Sequence, residues 1–128
     1  MTNRTLRDTA MSFIDFETTG LSARSGARVV EVSIVRVEPD GEPQVVLDTL
    51  IDPEGPVLCT SIHGIDDEDV LGAPRFTDIL GEMIGALENS VVAAFNASFD
   101  ISFLTAEARL APNTSKLRTL PYICLMCM

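Results

Sequence analysis

The first half of the chain alternates hydrophobic and polar residues with the two-residue period of half-buried strands. This period predicts three strands, at about residues 11–17, 28–37 and 45–51. In the first strand, Ile14 and Phe16 face one side of the sheet. Asp15 and Glu17 face the other side. The first strand therefore has one face suited to a core and one face that carries two carboxylates.

The second predicted strand places Val30, Val32 and Ile34 on one face, with the residues between them on the opposite face. Residues 39–42 (Pro-Asp-Gly-Glu) then form a turn, because proline presets φ and glycine accepts positive φ. Such a short connection predicts that the first three strands form an antiparallel meander.

The pattern changes after the third strand. Residues 53–69 are irregular and rich in proline and glycine, and Pro74 is then predicted to open a helix, where proline is favoured. Apolar residues recur at helical spacing in this helix: Phe76, Ile79, Leu80, Met83, Ile84 and Leu87. We interpret this stripe as part of the core.

The last third of the chain predicts a strand, a helix and a further strand. Residues 91–95 are wholly apolar, which is typical of a buried parallel strand. A helix follows and runs to about Leu110, with Asn96 or Ser98 as its cap. Residues 121–128 form a final strand-like apolar run. This order of elements predicts an α/β fold.

Length and composition indicate one globular domain. The chain has 128 residues, of which 46% are hydrophobic. Residues 1–10 lack periodicity and are expected to be a flexible lead-in to a domain at 11–128. Three cysteines without a framework spacing indicate reduced thiols, and no apolar run reaches the roughly 20 residues of a membrane span. We expect a cytoplasmic protein with no membrane partner.

The charge balance narrows the classes of function. Nineteen acidic residues against nine basic ones give a net charge of −10. This balance argues against broad, non-specific nucleic-acid binding, which needs a positive field. It leaves open a nucleic-acid enzyme whose site acids are covered by metal ions.

Asp15 and Glu17 are the first candidates for such a site. Their backbone positions lie about 6–7 Å apart on one face of a strand. Two like charges at roughly 4 Å cost about 4 kcal/mol at an effective dielectric near 20, so a cation would stabilise them. A pair of divalent ions fits this spacing. The plain alternative is a strand whose outer face is merely solvated.

Asp100 is the third candidate. It lies near the N-terminus of the helix that follows the apolar run at 91–95, where the helix dipole alone favours an acid. That end of a strand is also where ligands bind in α/β sheets. If the run pairs with the first strand, three carboxylates meet and would select Mg²⁺ or Mn²⁺.

Three stretches together resemble the first two motifs of the DEDD 3′–5′ exonucleases. They are residues 15–21 (Asp-Phe-Glu-Thr-Thr-Gly-Leu), 63–65 (His-Gly-Ile) and 96–100 (Asn-Ala-Ser-Phe-Asp). The resemblance covers residues 11–128 and is greatest to the epsilon subunit of bacterial DNA polymerase III. It implies a ribonuclease H-like fold, a mixed five-stranded sheet flanked by helices on both faces.

The resemblance also implies roles for individual residues. Asp15, Glu17 and Asp100 would bind two Mg²⁺ or Mn²⁺ ions that activate water and stabilise the leaving 3′ oxygen. A second set would contact the terminal nucleotide: Thr18, Gly20, Leu21, His63 and Phe99. Each of these has a simpler alternative, in which the leucine and phenylalanine are core and the threonine and histidine shape turns.

The sequence departs from the family in its third motif, which carries a general base (His or Tyr) and a fourth metal-binding Asp. The chain's single histidine, His63, belongs to a different motif. A missing general base typically costs about 10²- to 10⁴-fold in rate. We therefore expect a truncated exonuclease domain, lacking its C-terminal part and nearly inactive by itself.

The resemblance implies hydrolysis of phosphodiesters at the 3′ end of DNA, single-stranded or frayed, in replication proofreading or repair, with a polymerase subunit as a possible partner. RNA or short oligonucleotides are alternative substrates. A different class of function is a non-catalytic module that binds nucleic acid or a polymerase. A third is a purely structural α/β domain.

Overall fold

The computed structural model describes residues 8–110 and 122–124. The strands are β1 (Ala10–Thr18), β2 (Val29–Val37), β3 (Gln44–Leu50), β4 (Ser90–Ala94) and β5 (Tyr122–Cys124). The helices are α1 (Thr60–His63), α2 (Phe76–Leu87) and α3 (Ala97–Arg109), with one 3-10 turn at Ala23–Ser25. Within these ranges, no helix is both long and apolar enough to cross a bilayer.

The five strands form one mixed sheet in the order β3-β2-β1-β4-β5. The first three strands pair antiparallel, which confirms the predicted meander. β4 pairs parallel with β1 on its other side, and β5 pairs parallel with β4. The predicted parallel strand therefore lies directly beside β1, which is the central strand.

The main core lies between one face of the sheet and the helices α2 and α3. Ile14 and Phe16 of β1 are buried on this face, as the alternation predicted. The stripe of α2 is also confirmed, with Ile84 only partly buried. Four large side chains of the two helices are almost completely buried here: Phe76, Met83, Leu87 and Phe103. The opposite face of β1 is left for Asp15 and Glu17.

Ser12 of β1 and Arg36 of β2 connect the sheet to the C-terminal end of α2 by hydrogen bonds. The hydroxyl of Ser12 is fully buried, 2.7 Å from that of Ser90, and donates to the carbonyl of Ala86. Arg36 of β2 donates to the carbonyls of Ala86 and Glu88, at 2.9 and 2.7 Å. These bonds satisfy carbonyls at the C-terminus of α2 that would otherwise lack partners.

The prediction that Val30 shares a face with Val32 and Ile34 is wrong. Glu17 pairs with Glu31, whereas Thr18 pairs with Val29, so Val30 is an extra residue in β2. Such a bulge breaks the two-residue alternation. Val30 therefore packs in a second, smaller cluster with Leu50, Val57, Ile65, Val70 and Ala73.

The predicted start of α2 at Pro74 is also wrong by two residues. The carbonyl of Pro74 accepts the N–H of Asp52, and Arg75 forms a bridge with Asp52. This pairing holds both residues in an extended conformation. Asp78 then accepts the N–H of Arg75 at 2.9 Å, and the helix begins at Phe76.

The remaining expectations concern the irregular stretch and the chain ends. Residues 53–69 contain one helical turn, α1, which the sequence did not predict. Ala10 already belongs to β1, so the lead-in is shorter than expected. Residues 1–7, the predicted loop at 113–118, and 125–128 lie outside the described residues.

Candidate active site

The site is built where β1 extends beyond its neighbour β4. The ladder between these strands ends at the pair Phe13 and Ala93, whereas β1 continues to Thr18. Asp15 and Glu17 lie in this extension, with Asp15 exposed and Glu17 half-buried. Backbone groups of β1 on the β4 side therefore need another partner over these residues.

Asp100 of α3 supplies that partner. The chain leaves β4 and enters α3 at Ala97, so the first turn of the helix lies at the end of the ladder. Asp100 is only 5% exposed, and its carboxylate accepts a hydrogen bond from the backbone N–H of Phe16. Because Phe16 lies between Asp15 and Glu17, this bond brings the third carboxyl group next to the other two.

The three carboxyl groups interact electrostatically. The pKa of Asp100 is raised from 3.8 to about 6, mainly by burial and in smaller part by the negative charges of Asp15 and Glu17. The N–H groups of Phe16 and Asp100 oppose the shift, because they favour the ionised form. That Asp15, Glu17 and Asp100 together form one metal site remains a prediction.

Glu31 is a fourth acidic residue of this site. It lies directly across from Glu17 on β2. Its pKa is raised by burial, then by the charges of Asp48, Glu17 and Asp15. Strand alternation placed Glu31 on the acidic side, but its pairing with Glu17 depends on the register of two strands, which the sequence pattern does not specify.

The donor set of the site is suited to a hard divalent cation. Asp15, Glu17 and Asp100 offer carboxylate oxygens, the ligands that Mg²⁺ and Mn²⁺ prefer. Their side chains are not gathered into a finished ligand sphere: among the described residues, no three His, Cys, Asp or Glu side chains meet in such an arrangement. A cation would relieve the repulsion that raises the pKa of Asp100.

The turn after β1 is tightly built. The hydroxyl of Thr18 donates to the carbonyl of Gly20 at 2.6 Å, so it shapes the turn, the simpler of its two predicted roles. A Cβ on Gly20 would lie 3.2 Å from the Cβ of Ala27. The N–H of Thr19 donates to the carbonyl of Arg28 at 2.8 Å. The loop between these residues is therefore closed at its base.

Leu21 and Phe99, which the resemblance implies contact the terminal nucleotide, differ in how deeply they are buried. Leu21 is 85% exposed at this turn, so the alternative that it belongs to the core is wrong. Phe99 is half-buried against the core, with its ring centroid 4.9 Å from that of Phe103. Its position one residue before Asp100 keeps it at the same end of α3.

His63 caps a turn with both ring nitrogens. Its Nδ1 accepts the N–H of Ile65 at 3.0 Å, so Nε2 carries the proton and donates to the carbonyl of Leu58 at 2.9 Å. The ring of His63 lies near the acidic face, close enough to Glu31 that a positive charge on the imidazole would lower the pKa of that carboxyl. In this arrangement His63 has no free nitrogen to accept a proton.

A buried ion pair connects α3 to the start of β2. Glu107 is 2% exposed and accepts bonds from Nε and Nη2 of Arg28 at 2.9 and 2.8 Å, and from the N–H of Val29 at 3.1 Å. Glu107 comes seven residues after Asp100, on the same helical face. Because Val29 pairs with Thr18, this carboxylate fixes α3 relative to the end of β1.

The comparison with protein families agrees with the site. The family model for exonucleases of the RNase T type matches residues 12–128. The chain therefore belongs to the exonuclease family, within the DEDD superfamily.

Individual relatives carry related names. The chain is 35% identical over 100 residues to an uncharacterized exonuclease, CP81, of Escherichia phage 186, covering 77% of this chain and 48% of that protein. It is 33% identical over 105 residues to the DNA polymerase III subunit epsilon of Treponema pallidum, covering 79% and 47%. The chain thus spans about half the length of these two relatives.

Solved structures show the same fold. E. coli Exonuclease I in complex with a dA16 oligonucleotide aligns with a TM-score of 0.73 at 14% identity, over 92% of this chain and 28% of that chain. The nuclease domain of 3'hExo, a DEDDh family member bound to rAMP, aligns with a TM-score of 0.65 at 20% identity, over 80% and 59%. The predicted ribonuclease H-like fold is confirmed.

The pKa of Asp100 predicts a pH-dependent stability in the absence of metal. The folded state holds the proton of Asp100 up to about pH 6, against an ordinary pKa of 3.8, so this group destabilises the fold as pH rises from about 4 to 6. The loss is about 3 kcal/mol at most, from about 1.4 kcal/mol per pKa unit. Asp100→Asn keeps an acceptor for Phe16 but has no charge.

We therefore expect Asp100→Asn to be more stable than the wild type at pH 7.5 in EDTA, and equally stable below pH 4. Urea denaturation at several pH values measures this difference. Equal stability of the two proteins throughout that range would contradict the burial of an ionisable Asp100. Asp40→Asn, at an exposed turn where the residue has a φ of 59°, is the matched control.

The ion pair between Arg28 and Glu107 predicts a large loss of stability when it is broken. Glu107→Ala removes the hydrogen bonds to Arg28 and leaves the buried N–H of Val29 without its acceptor, although Arg28 keeps Glu54 as a partner, so the expected loss of stability is about 2–3 kcal/mol. We expect this loss for Glu107→Ala in chemical denaturation. Glu82→Ala, at an exposed position of α2, should change stability by less than about 0.5 kcal/mol. An equally small loss of stability in Glu107→Ala and Glu82→Ala would show that the ion pair contributes little.

Proposed function

We propose that this chain is a two-metal-dependent 3′–5′ exonuclease domain that hydrolyses phosphodiesters at the 3′ end of DNA. The observation that carries the proposal is the electrostatic coupling of Asp100 to Asp15 and Glu17. Three carboxyl groups with mutual repulsion and hard oxygen donors are suited to divalent cations. Mg²⁺ and Mn²⁺ are the ions that this donor set favours.

In this proposal, one set of residues binds the metal ions and another contacts the terminal nucleotide. Asp15, Glu17 and Asp100 hold the ions, and the bond from Phe16 fixes the least mobile of these carboxylates, that of Asp100. When bound, a metal pair supplies an activated water and stabilises the leaving oxygen of the sugar. Leu21 offers an exposed apolar side chain beside the site for the terminal base.

The choice of DNA rests on the relatives. The epsilon subunit of T. pallidum belongs to DNA polymerase III, and the related Exonuclease I structure holds a DNA oligonucleotide. We propose by the same reasoning that a polymerase subunit is a partner, that the role is proofreading or repair, and that the protein works in the cytoplasm. RNA is the second candidate substrate, since the 3'hExo domain is bound to rAMP.

His63 is not available as a general base for this reaction. Both of its ring nitrogens cap a turn, with Nδ1 accepting from Ile65 and Nε2 donating to Leu58. Positioned general bases contribute about 10²- to 10⁴-fold. This consideration also supports the second class of function, a non-catalytic module that binds nucleic-acid ends or a polymerase.

The proposed activity is tested by nucleotide release from the 3′ end of labelled single-stranded DNA in Mn²⁺. We expect slow hydrolysis that EDTA abolishes. Asp15→Asn should lower the rate by more than about 100-fold, because even outer-shell partners of a metal ligand contribute about 10- to 100-fold. Asp40→Asn, an equivalent substitution at an exposed turn, should leave the rate unchanged.

Three results would contradict the proposal in different ways. Binding of the DNA without any hydrolysis, even at high enzyme concentration, would favour the non-catalytic module. Competition in which RNA is hydrolysed in preference to DNA would change the substrate. Absence of calorimetric Mn²⁺ binding, in the wild type as in the double variant Asp15→Ala/Asp100→Ala, would favour a structural domain.

A further inference from the structure

A groove of about 1000 Å³ lies between the loop 21–28 and one side of α3; we call it the α3 groove. It begins beside Leu21 and Phe99, at the end of α3 that carries the proposed site, and reaches Arg109 and Leu110 at the other end. At 1.5 Å per residue, α3 extends about 18 Å between Ala97 and Arg109. The groove is therefore longer than a single nucleotide needs.

The charge of the groove is opposite to that of the protein. Its lining contains three arginines, of the nine basic residues in the chain, and one acidic residue, Glu107. The lining thus has a net charge of +2 on a chain with a net charge of −10. Residues 111–128, which follow the end of the groove in sequence, contain no Asp or Glu.

The arginines of the groove have different roles. Arg28 is occupied, because its guanidinium pairs with Glu107 and Glu54. Arg24 and Arg109 are exposed, and none of the carboxylates in the described ranges forms an ion pair with either of them. Arg109 also lies in the last turn of α3, where a cation favours the helix dipole. The interaction with the helix dipole uses the charge of Arg109 but none of its N–H donors, so the guanidinium can still bind a phosphate.

We propose that the α3 groove binds the phosphodiester backbone of the substrate strand on the 5′ side of the bond that is cut. Arg24 and Arg109 contact phosphates, Arg24 from the wall formed by the loop 21–28 and Arg109 from α3, in a groove that begins beside Leu21 and Phe99. A polyanion is the ligand that this local reversal of charge favours. The assignment rests on the proposed exonuclease function, because it takes the strand's 3′ end to be at Asp15, Glu17 and Asp100.

The polar residues along the groove suit this ligand. Ser98, Ser102 and Thr105 lie on the same side of α3 and are exposed. The hydroxyls of Ser98 and Thr105 can donate to phosphate or sugar oxygens without regard to base, whereas the hydroxyl of Ser102 donates to the carbonyl of Phe99 at 2.7 Å. The groove therefore contributes affinity that depends on strand length and not on sequence.

The test compares a long strand with a short one. We expect the double variant Arg24→Ala/Arg109→Ala to bind an oligothymidine of about ten nucleotides at least about tenfold more weakly, by fluorescence anisotropy in EDTA. Its salt slope, the dependence of log K on log salt, should fall by about 0.7 for each lost contact. In Mn²⁺, the rate at low substrate concentration should fall much less for a dinucleotide than for the ten-nucleotide strand, since the short substrate fills less of the groove.

Two further variants serve as controls. Arg24→Lys/Arg109→Lys keeps both charges and should restore most of the affinity. Arg75→Ala removes an exposed arginine that lies outside the groove lining and should have little effect on binding. A loss of affinity in Arg75→Ala as large as that in Arg24→Ala/Arg109→Ala would overturn the proposal, because it would indicate only an effect of net charge.

The outcomes separate this proposal from the proposed function. If DNA is hydrolysed but the double variant binds the long strand as tightly as the wild type, the groove assignment is wrong and the exonuclease function stands. If no nuclease activity is found while binding still depends on Arg24 and Arg109, the groove binds nucleic acid and the exonuclease function is wrong.

Discussion

The candidate site depends on the contact between Asp100 of α3 and the backbone of β1 at Phe16. Asp100 accepts the N–H of Phe16 just where β4 stops pairing with β1. A buried N–H without a partner would be costly, so the carboxylate completes the sheet as well as the site. Burial is the main cause that raises the pKa of Asp100 to about 6, and the charges of Asp15 and Glu17 add to it, whereas the bond from Phe16 opposes the shift. Asp100 is therefore both a hydrogen-bond partner of the strand and a candidate metal ligand of the site.

The surrounding fold keeps that bond in place from both sides. The core between the sheet and α2 and α3 buries the alternate residues of β1, Ile14 and Phe16. At the other end of α3, Glu107 holds the start of β2 with three hydrogen bonds. The helix is thus fixed at two points seven residues apart, and the acidic side chains of β1 face away from the core. Membership of the exonuclease family follows from this same arrangement of sequence and fold.

The sequence predicted those features that depend on local periodicity. Alternation along β1 assigned Asp15 and Glu17 to one face, and the apolar run at 91–95 correctly predicted a parallel strand beside it. The motif order added Asp100. Features set by the register of strands were missed: the bulge at Val30 changed its face, and Glu31 was not assigned to the site. Register depends on contacts between distant segments, so one strand's pattern does not determine it.

Side-chain partners were the least predictable part. The fold pairs Arg28 with Glu107, which lies 79 residues away in sequence, so no local pattern indicates this contact. His63 matched a motif, yet its nitrogens bond to neighbours in its own turn. Pro74 has the residue type of a helix start, but its pairing with Asp52 delays α2. In each case a tertiary or turn contact outweighs the local preference.

The coupling of the three carboxyl groups is tested most directly by NMR titration of the Asp100 side-chain carboxyl in the metal-free protein. We expect a pKa of about 6 that decreases in Asp15→Asn and in Glu17→Gln, because each substitution removes a negative neighbour. A pKa close to 3.8 that neither substitution changes would contradict the central claim that these residues form one site.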